Sequence, residues 1–367
     1  MRAHRRLEAV HRAGAASAAL VLALTLGTLI AVGFRAEAPA VLGAADWVAV
    51  RFTVTQAFLS AALSCLLAIP VARALARRRF PGRGLLVTLL GAPFILPVIV
   101  AVLGLLAVFG RAGLVSQALA AFGLPPVDIY GLHGVVLAHV FFNLPLATRL
   151  LLQGWLAIPA ERFRLAATLG LGPGQIARIL ERPMLRDVLP GAFAVIFLVC
   201  LTSFAVALTL GGGPKATTVE LAIYQAFAYE FDLGRAALLA LVQVALTVLA
   251  ALLALRTAVP AAMGAGLDRA VERWDAGRPA LKALDAGLLT AVSLFLLVPL
   301  GAVAAAGAAA LADLPASVWL ATLRSVAVAL GSAALTLMLA LPIALLVERL
   351  RGRAGSALVE GIGYLTV

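Results

Sequence analysis

VTQAFLSAALSCLLAIPVARALARRR, residues Val54 to Arg79, is apolar along most of its length and then turns abruptly basic. About 20 apolar residues are needed for a helix to cross the hydrocarbon core of a bilayer. The run Val54 to Leu75 therefore reads as a membrane span, and its exit, with Arg73, Arg77, Arg78, Arg79 and Arg83, reads as a cytoplasmic turn. A second stretch, VAVALGSAALTLMLALPIALLVERLR from Val326, aligns with it without gaps. Ser60-Ala61-Ala62-Leu63 returns as Ser332-Ala333-Ala334-Leu335, and Pro70 returns as Pro342. Two Ala- and Leu-rich helices resemble each other easily by chance. The serine, the proline and the basic exit held in one register favour duplication.

Composition agrees with a polytopic, all-α membrane protein. Hydrophobic residues make up 63% of the chain and charged residues 13%, and mean hydropathy is +1.07. The net charge of +12 does not mark a nucleic-acid binder, because the basic residues sit in short clusters between apolar runs. Cys65 and Cys200 both fall inside apolar runs and read as small packing residues.

The expected order of spans follows from these runs. MRAHRRLEAVHR precedes an apolar run from Ala13 to Phe34 that is longer than a signal-peptide core. It is read as an uncleaved first helix with a cytoplasmic N-terminus, although Ala36-Glu37-Ala38 resembles a cleavage site. Further spans are expected at about Val54–Leu75, Leu85–Phe109 (kinked at Pro93 and Pro97), Gly131–Trp155, Val188–Leu210, Ala236–Leu255, Ala283–Ala310 and Ala321–Val347. A ninth apolar run begins at Ala357. The duplicated spans are the second and the eighth, so both copies enter the membrane in the same direction, as in parallel transporter repeats. In that register Val367 falls opposite Ile95, and the second repeat is expected to be truncated.

One stretch is neither span nor simple connector: PAERFRLAATLGLGPGQIARILERP, Pro159 to Pro183. Pro159 starts a short helix, Gly170 ends it, and Pro173 starts a second that runs to Pro183. Arg162, Arg164, Arg178, Arg182 and Arg186 place it in the cytoplasm. Ile176, Ile179, Leu180 and Met184 recur at helical spacing and are expected to form one apolar face for a partner to grip. An amphipathic helix lying on the membrane surface is the competing reading.

Ala166, Ala167, Gly170, Leu180 and Pro183 resemble the EAA loop of ABC importer permeases, with Arg164 and Leu165 standing where that loop usually carries Glu and Ala. RFPGR from Arg79, LAHVFFNLPLATRLLLQ from Leu137 and LGGGPKATTVELAIYQAF from Leu210 resemble the fused permease subunit of thiamine and thiamine pyrophosphate importers. The resemblance implies the type I ABC importer fold in two tandem permease repeats. It also implies a coupling helix at Pro159–Pro183 that docks in a groove of a separate ATPase, which binds the ATP. An external solute-binding protein would deliver a thiamine-class substrate, and this chain would carry no cofactor, no metal and no catalytic residues. Ferric-iron permeases share the architecture and the loop pattern, so iron is the alternative cargo.

Residues 1–50 are expected to hold the N-terminal segment, first helix and external loop; 51–258 the first permease domain; 259–283 a cytoplasmic connector; and 284–367 the start of a second domain. The location implied is the cytoplasmic (inner) membrane of a bacterium. Candidates for a translocation pathway are the polar and aromatic residues inside spans: Phe141, Phe142, Asn143, Thr202, Ser203 and Phe204. A thiazolium cation beside an aromatic ring would gain cation–π attraction, while helix packing is the plainer role for these residues. Outside, Tyr224, Phe227, Tyr229 and Phe231 alternate with Glu220, Glu230 and Asp232, which suits an interfacial aromatic belt, a docking surface or a substrate gate.

GGGPKATT at Gly211–Thr218 lacks the second glycine and the hydroxyl residue of a phosphate-binding loop. His133 and His139 are spaced wrongly for a shared zinc-binding helix face. With no nucleophile turn and no carboxylate pair inside a span, an intramembrane enzyme is the disfavoured functional class.

Overall fold

The computed structural model describes residues 2–35, 41–91, 96–255, 277–311 and 314–350. Among them the regular structure is helical: α1 (Arg2–Arg35), α2 (Ala44–Arg77), α3 (Arg83–Leu89), α4 (Val98–Phe109), α5 (Leu114–Ala120), α6 (Leu132–Ala157), α7 (Ala160–Thr168), α8 (Pro173–Ile176), α9 (Arg182–Leu201), α10 (Ala205–Leu210), α11 (Val219–Ala228), α12 (Leu233–Leu255), α13 (Pro279–Ala310) and α14 (Ala316–Leu350). Seven stretches among the described residues are long and apolar enough to cross a membrane: Ala44–Arg77, Val98–Ala120, Leu132–Ala157, Pro173–Leu201, Leu233–Ala254, Pro279–Ala308 and Ala316–Leu350. The expected first span lies within α1, where Arg12–Thr28 forms a shorter apolar helix. Pro93, Ala36-Glu37-Ala38, the expected connector up to residue 276 and the apolar run from Ala357 lie outside the described residues.

The chain divides into two compact units, one of Met1–Ala40, Asp232–Ala237 and Ala309–Val367, the other of Val41–Phe231 and Leu238–Ala308. In the first, α1 packs on α14. A Cβ at Gly14 would lie 2.7 Å from both Leu346 Cβ and the Pro342 carbonyl oxygen, so glycine alone allows the two helices to approach this closely.

In the second unit α2 is the central helix. Ala57, Ala61, Cys65, Ala68, Ala72 and Ala76 are buried along it at three- and four-residue spacing. Such a stripe of small side chains lets α6 and α9 pack tightly against it. Helices gain little hydrophobic driving force against one another in lipid, so their association rests on close packing and polar contacts. Helix α13 joins this unit through Phe295, whose ring centroid lies 5.7 Å from that of Phe141 and 6.3 Å from that of Phe109. Residues 284–308, expected from sequence to open a second permease domain, thus pack within the unit that holds the first.

The basic exit of α2 is consumed in specific contacts. Arg77 and Arg78 both pair with Asp285 of α13, and Arg78 Nε lies 2.5 Å from Asp285 Oδ2. Arg83 donates from Nε and Nη2 to the Leu75 carbonyl at 3.0 and 2.9 Å, satisfying an acceptor of the last turn of α2 that would otherwise be orphaned. Two expectations change here. The third span is not one kinked helix but α3 and α4, with Pro97 in extended conformation (φ −55°, ψ 132°) immediately before α4. The expected Gly110–Tyr130 connector contains α5, pinned by Ser116 Oγ, which donates to the Gly110 carbonyl at 2.7 Å and accepts from Val127 N at 3.0 Å.

Candidate functional site

The Pro159–Pro183 stretch forms a helix, a tight turn and a second helix, and each boundary has a local cause. Pro159 (φ −58°, ψ 136°) precedes α7. After Thr168 the chain closes with Gly170 N–H to the Ala167 carbonyl and Leu171 N–H to the Ala166 carbonyl, both at 3.0 Å. This paired closure needs a left-handed residue between them, and Gly170 supplies it at φ +64°. Gly172 then begins the next helix, with its N–H donating to Gln175 Oε1 at 2.8 Å and Pro173 at the first helical position.

The second helix does not end at Pro183, as expected from sequence. It widens into a π-turn over Ala177–Glu181, closed by Arg182 N–H to the Ala177 carbonyl, and continues as α9. Pro183 explains the widening. It has no N–H to donate, and in a regular helix its ring would collide with the carbonyl four residues back. The wider turn also directs Glu181 inward, where it is 3% exposed and pairs with Arg73 Nε of α2 at 2.9 Å. The joint is thereby tied to the central helix of its unit.

The expected partner-facing surface of Ile176, Ile179, Leu180 and Met184 is corrected by this geometry. Ile176 is fully buried, and Leu180 and Met184 pack against the chain's own core. Ile176 is already buried before the π-turn begins at Ala177, and of the four only Ile179 stays exposed. The apolar side chains left open are Leu165, Leu169 and Ile179, exposed by 62%, 65% and 54%. Arg164 and Ala167 are exposed beside them, Ala166 is buried, and Pro183 is exposed. A Cβ at Gly170 would meet nothing within 4 Å.

A second cluster lies where α9 ends at Leu201 and α10 begins at Ala205. Breaking a helix at membrane depth frees carbonyls that lipid cannot satisfy. Side chains from two other helices and from the residue capping a third do so. Gln56 Nε2 of α2 donates to the Cys200 carbonyl at 2.7 Å, Gln243 Nε2 of α12 to the Leu201 carbonyl at 3.1 Å, and Thr218 Oγ1, just before α11, to the Ser203 carbonyl at 3.1 Å. His139 of α6 bridges Ser203 Oγ (2.7 Å) and Ser60 Oγ (3.3 Å). Asn143 Nδ2 donates to the His139 carbonyl at 2.8 Å and to Cys200 Sγ at 3.3 Å.

The six pathway candidates do not share one surface. Phe141 and Asn143 are buried inside the helix bundle and Ser203 in the break. Thr202 is exposed, while Phe142 and Phe204 are half-buried. Phe204 faces outward through Tyr224, with ring centroids 5.3 Å apart. Gln56, Gln243 and His139 are the partners sequence reasoning passed over as site residues. The signal available was their polarity within apolar spans. His133, by contrast, sits in the first turn of α6 and meets the Asp128 carbonyl.

No protein-family model matches the chain. The chain is 40% identical over 339 residues to the Thiamine transport system permease protein ThiP of Brucella abortus (strain 2308), covering 90% of this chain and 62% of that protein. It is 48% identical over 241 residues to the protein of the same name from Escherichia coli (strain K12), covering 63% of this chain and 44% of that protein. The chain thus spans less than two thirds of the length of the thiamine permeases it matches, and within that span the resemblance drawn from sequence holds. A crystal structure of a bacterial ABC transporter involved in the import of the acidic polysaccharide alginate aligns with a TM-score of 0.54 at 16% identity, over 64% of this chain and 88% of that one. At that identity the likeness concerns the fold alone, over the matched part.

Proposed function

We propose that the chain is the membrane-spanning permease of a bacterial ABC importer that carries thiamine, thiamine phosphates or both into the cytoplasm. It is a transport subunit and not an enzyme, and ATP is hydrolysed on a partner ATPase. The observation that carries this reading is the 40% identity to a thiamine transport permease over 90% of the chain. The reading further holds that the protein crosses the cytoplasmic membrane with its N-terminus and basic turns inside, that an external binding protein supplies the substrate, and that two tandem permease domains build the pathway.

The geometry supports a division of labour. Arg164, Leu165, Ala166, Ala167, Gly170, Leu180 and Pro183 form or frame the coupling joint. Leu165, Leu169 and Ile179 are its open apolar contacts, and the space beside Gly170 admits a partner surface. ATPase closure would move the joint as a packed body, and the Glu181–Arg73 pair would pass that movement to α2. The break at 202–204 gives the bundle a place to bend, held by neutral side-chain hydrogen bonds that can exchange partners at modest cost.

Uptake of radiolabelled thiamine by cells lacking this protein tests the reading. Uptake is expected to fall to background and return on complementation. Normal thiamine uptake with lost iron uptake would reassign the cargo to ferric iron.

A further inference from the structure

The helix α11 has two unlike faces. Val219, Ala222 and Ala226 are buried, and the first two join Ala49 and Leu239 in a small apolar cluster. Opposite them Glu220, Tyr224 and Phe227 recur at four- and three-residue spacing and so share one face. Tyr224 is 37% exposed and Phe227 57%. The rings continue in both directions from Tyr224. Phe204 meets it edge to face at 5.3 Å, and Tyr229 does so at 5.6 Å with an interplanar angle of 86°. An aromatic ladder therefore runs from exposed Tyr229, through Tyr224, to Phe204 at the break in the α9–α10 segment.

Glu220 is half-buried at the head of this face, and among the described residues no side chain pairs with it by ion pair or hydrogen bond. Burial pushes its carboxyl up to about 6. An interfacial belt of aromatic rings needs no such carboxylate, and lipid would disfavour one. A partly desolvated carboxylate on the same helix face as Tyr224 suits a different occupant: a flat cation, attracted by the ring quadrupoles and by the negative charge together.

We infer that Glu220, Tyr224, Tyr229 and Phe204 form an entry subsite for a small aromatic cation of the thiazolium or pyridinium class. In the topology set by the basic turns, this face lies on the external side, and the ladder ends where the helix break begins. The inference rests on the thiamine-importer reading for its biological cargo, and its test is separable from that reading.

Saturation-transfer NMR on the full-length protein in nanodiscs measures weak binding without transport. The probes are the 3,4-dimethylthiazolium cation and neutral 4-methylthiazole. The cation is expected to bind and the neutral ring to bind about tenfold more weakly. Glu220→Gln and Tyr224→Leu should each weaken cation binding about tenfold, whereas Tyr224→Phe, which keeps the ring, should retain it. Gel filtration of each variant confirms intact protein. Equal binding of the two probes, or unchanged cation binding in both Glu220→Gln and Tyr224→Leu, would overturn the subsite. Failure of the intact transporter to take up thiamine would instead overturn the cargo reading, with the NMR result still deciding the subsite.

Discussion

Helices α2 and α14 carry nearly the same sequence pattern and differ in how far they are packed among the described residues. Both hold the Ser-Ala-Ala-Leu run, the interior proline and a basic exit. Yet α2 is the packed centre of its unit, whereas most of α14 is open among the described residues. The differences that matter are polar. Where α2 has Gln56, reaching the Cys200 carbonyl, the aligned residue of α14 is Val328. Where α2 has Arg73, tied to Glu181, α14 has Leu345. The two helices share a small-residue pattern, while the polar contacts of Gln56 with the Cys200 carbonyl and of Arg73 with Glu181 sit at positions where α14 carries Val328 and Leu345.

The sharpest way to break this comparison is to change residues that the copies share. Arg77 and Arg349 align, but Arg77 is 7% exposed and bonded to Asp285. Arg77→Ala leaves Asp285 with Arg78 as its remaining partner, so it removes a charge-assisted bond and should cost about 1.5–3 kcal/mol in a denaturation titration of detergent-solubilised protein. Arg349→Ala, at a half-buried position of the mostly exposed α14, should cost no more than about 1 kcal/mol. Equal losses would mean that the copies are equivalent.

Next in size is Gln56→Val, which gives α2 the residue of α14. It leaves the Cys200 carbonyl without its donor at a buried helix end, a loss of about 1–3 kcal/mol readable as a lowered Tm. An unchanged Tm would remove Gln56 from the account of the break. Smaller still, Ser60→Ala deletes the hydroxyl beside His139 and should cost about 1 kcal/mol. Ser332→Ala, at the aligned and exposed position, should stay within about 0.5 kcal/mol.

The smallest expected effect belongs to neither copy and sets a baseline. Burial raises the Glu220 carboxyl from an ordinary 4.5 to about 6, so the folded protein favours its protonated form. Its contribution to stability is complete below pH 4.5 and fades as pH rises through about 6. Glu220→Gln should flatten that part of the stability profile, and a profile identical to the parent's would show that the carboxyl is not buried enough to matter.

Much of this was legible in the sequence because it depended on local chemistry. Apolar runs of bilayer length gave the helices, and Pro159, Gly170 and Pro173 gave the joint its boundaries. What could not be read depended on phase or on distant partners. The π-turn before Pro183 ends at a buried Glu181 paired with Arg73, and no periodicity count contains that local widening. The pairing of Gln56 with Cys200 and of Arg77 with Asp285 joins residues far apart in sequence. The packing of α13 beside α2 likewise follows from Asp285 and Phe295 meeting partners that the tandem-repeat pattern does not mention.

Gly170→Asp tests the coupling role most directly. A side chain there meets nothing of this chain within 4 Å, and the left-handed conformation costs a non-glycine residue only about 1–2 kcal/mol, so the variant should insert at normal abundance. With its carboxylate projecting into the space proposed for the ATPase, it should abolish uptake of radiolabelled thiamine. Normal uptake by that variant would contradict the account.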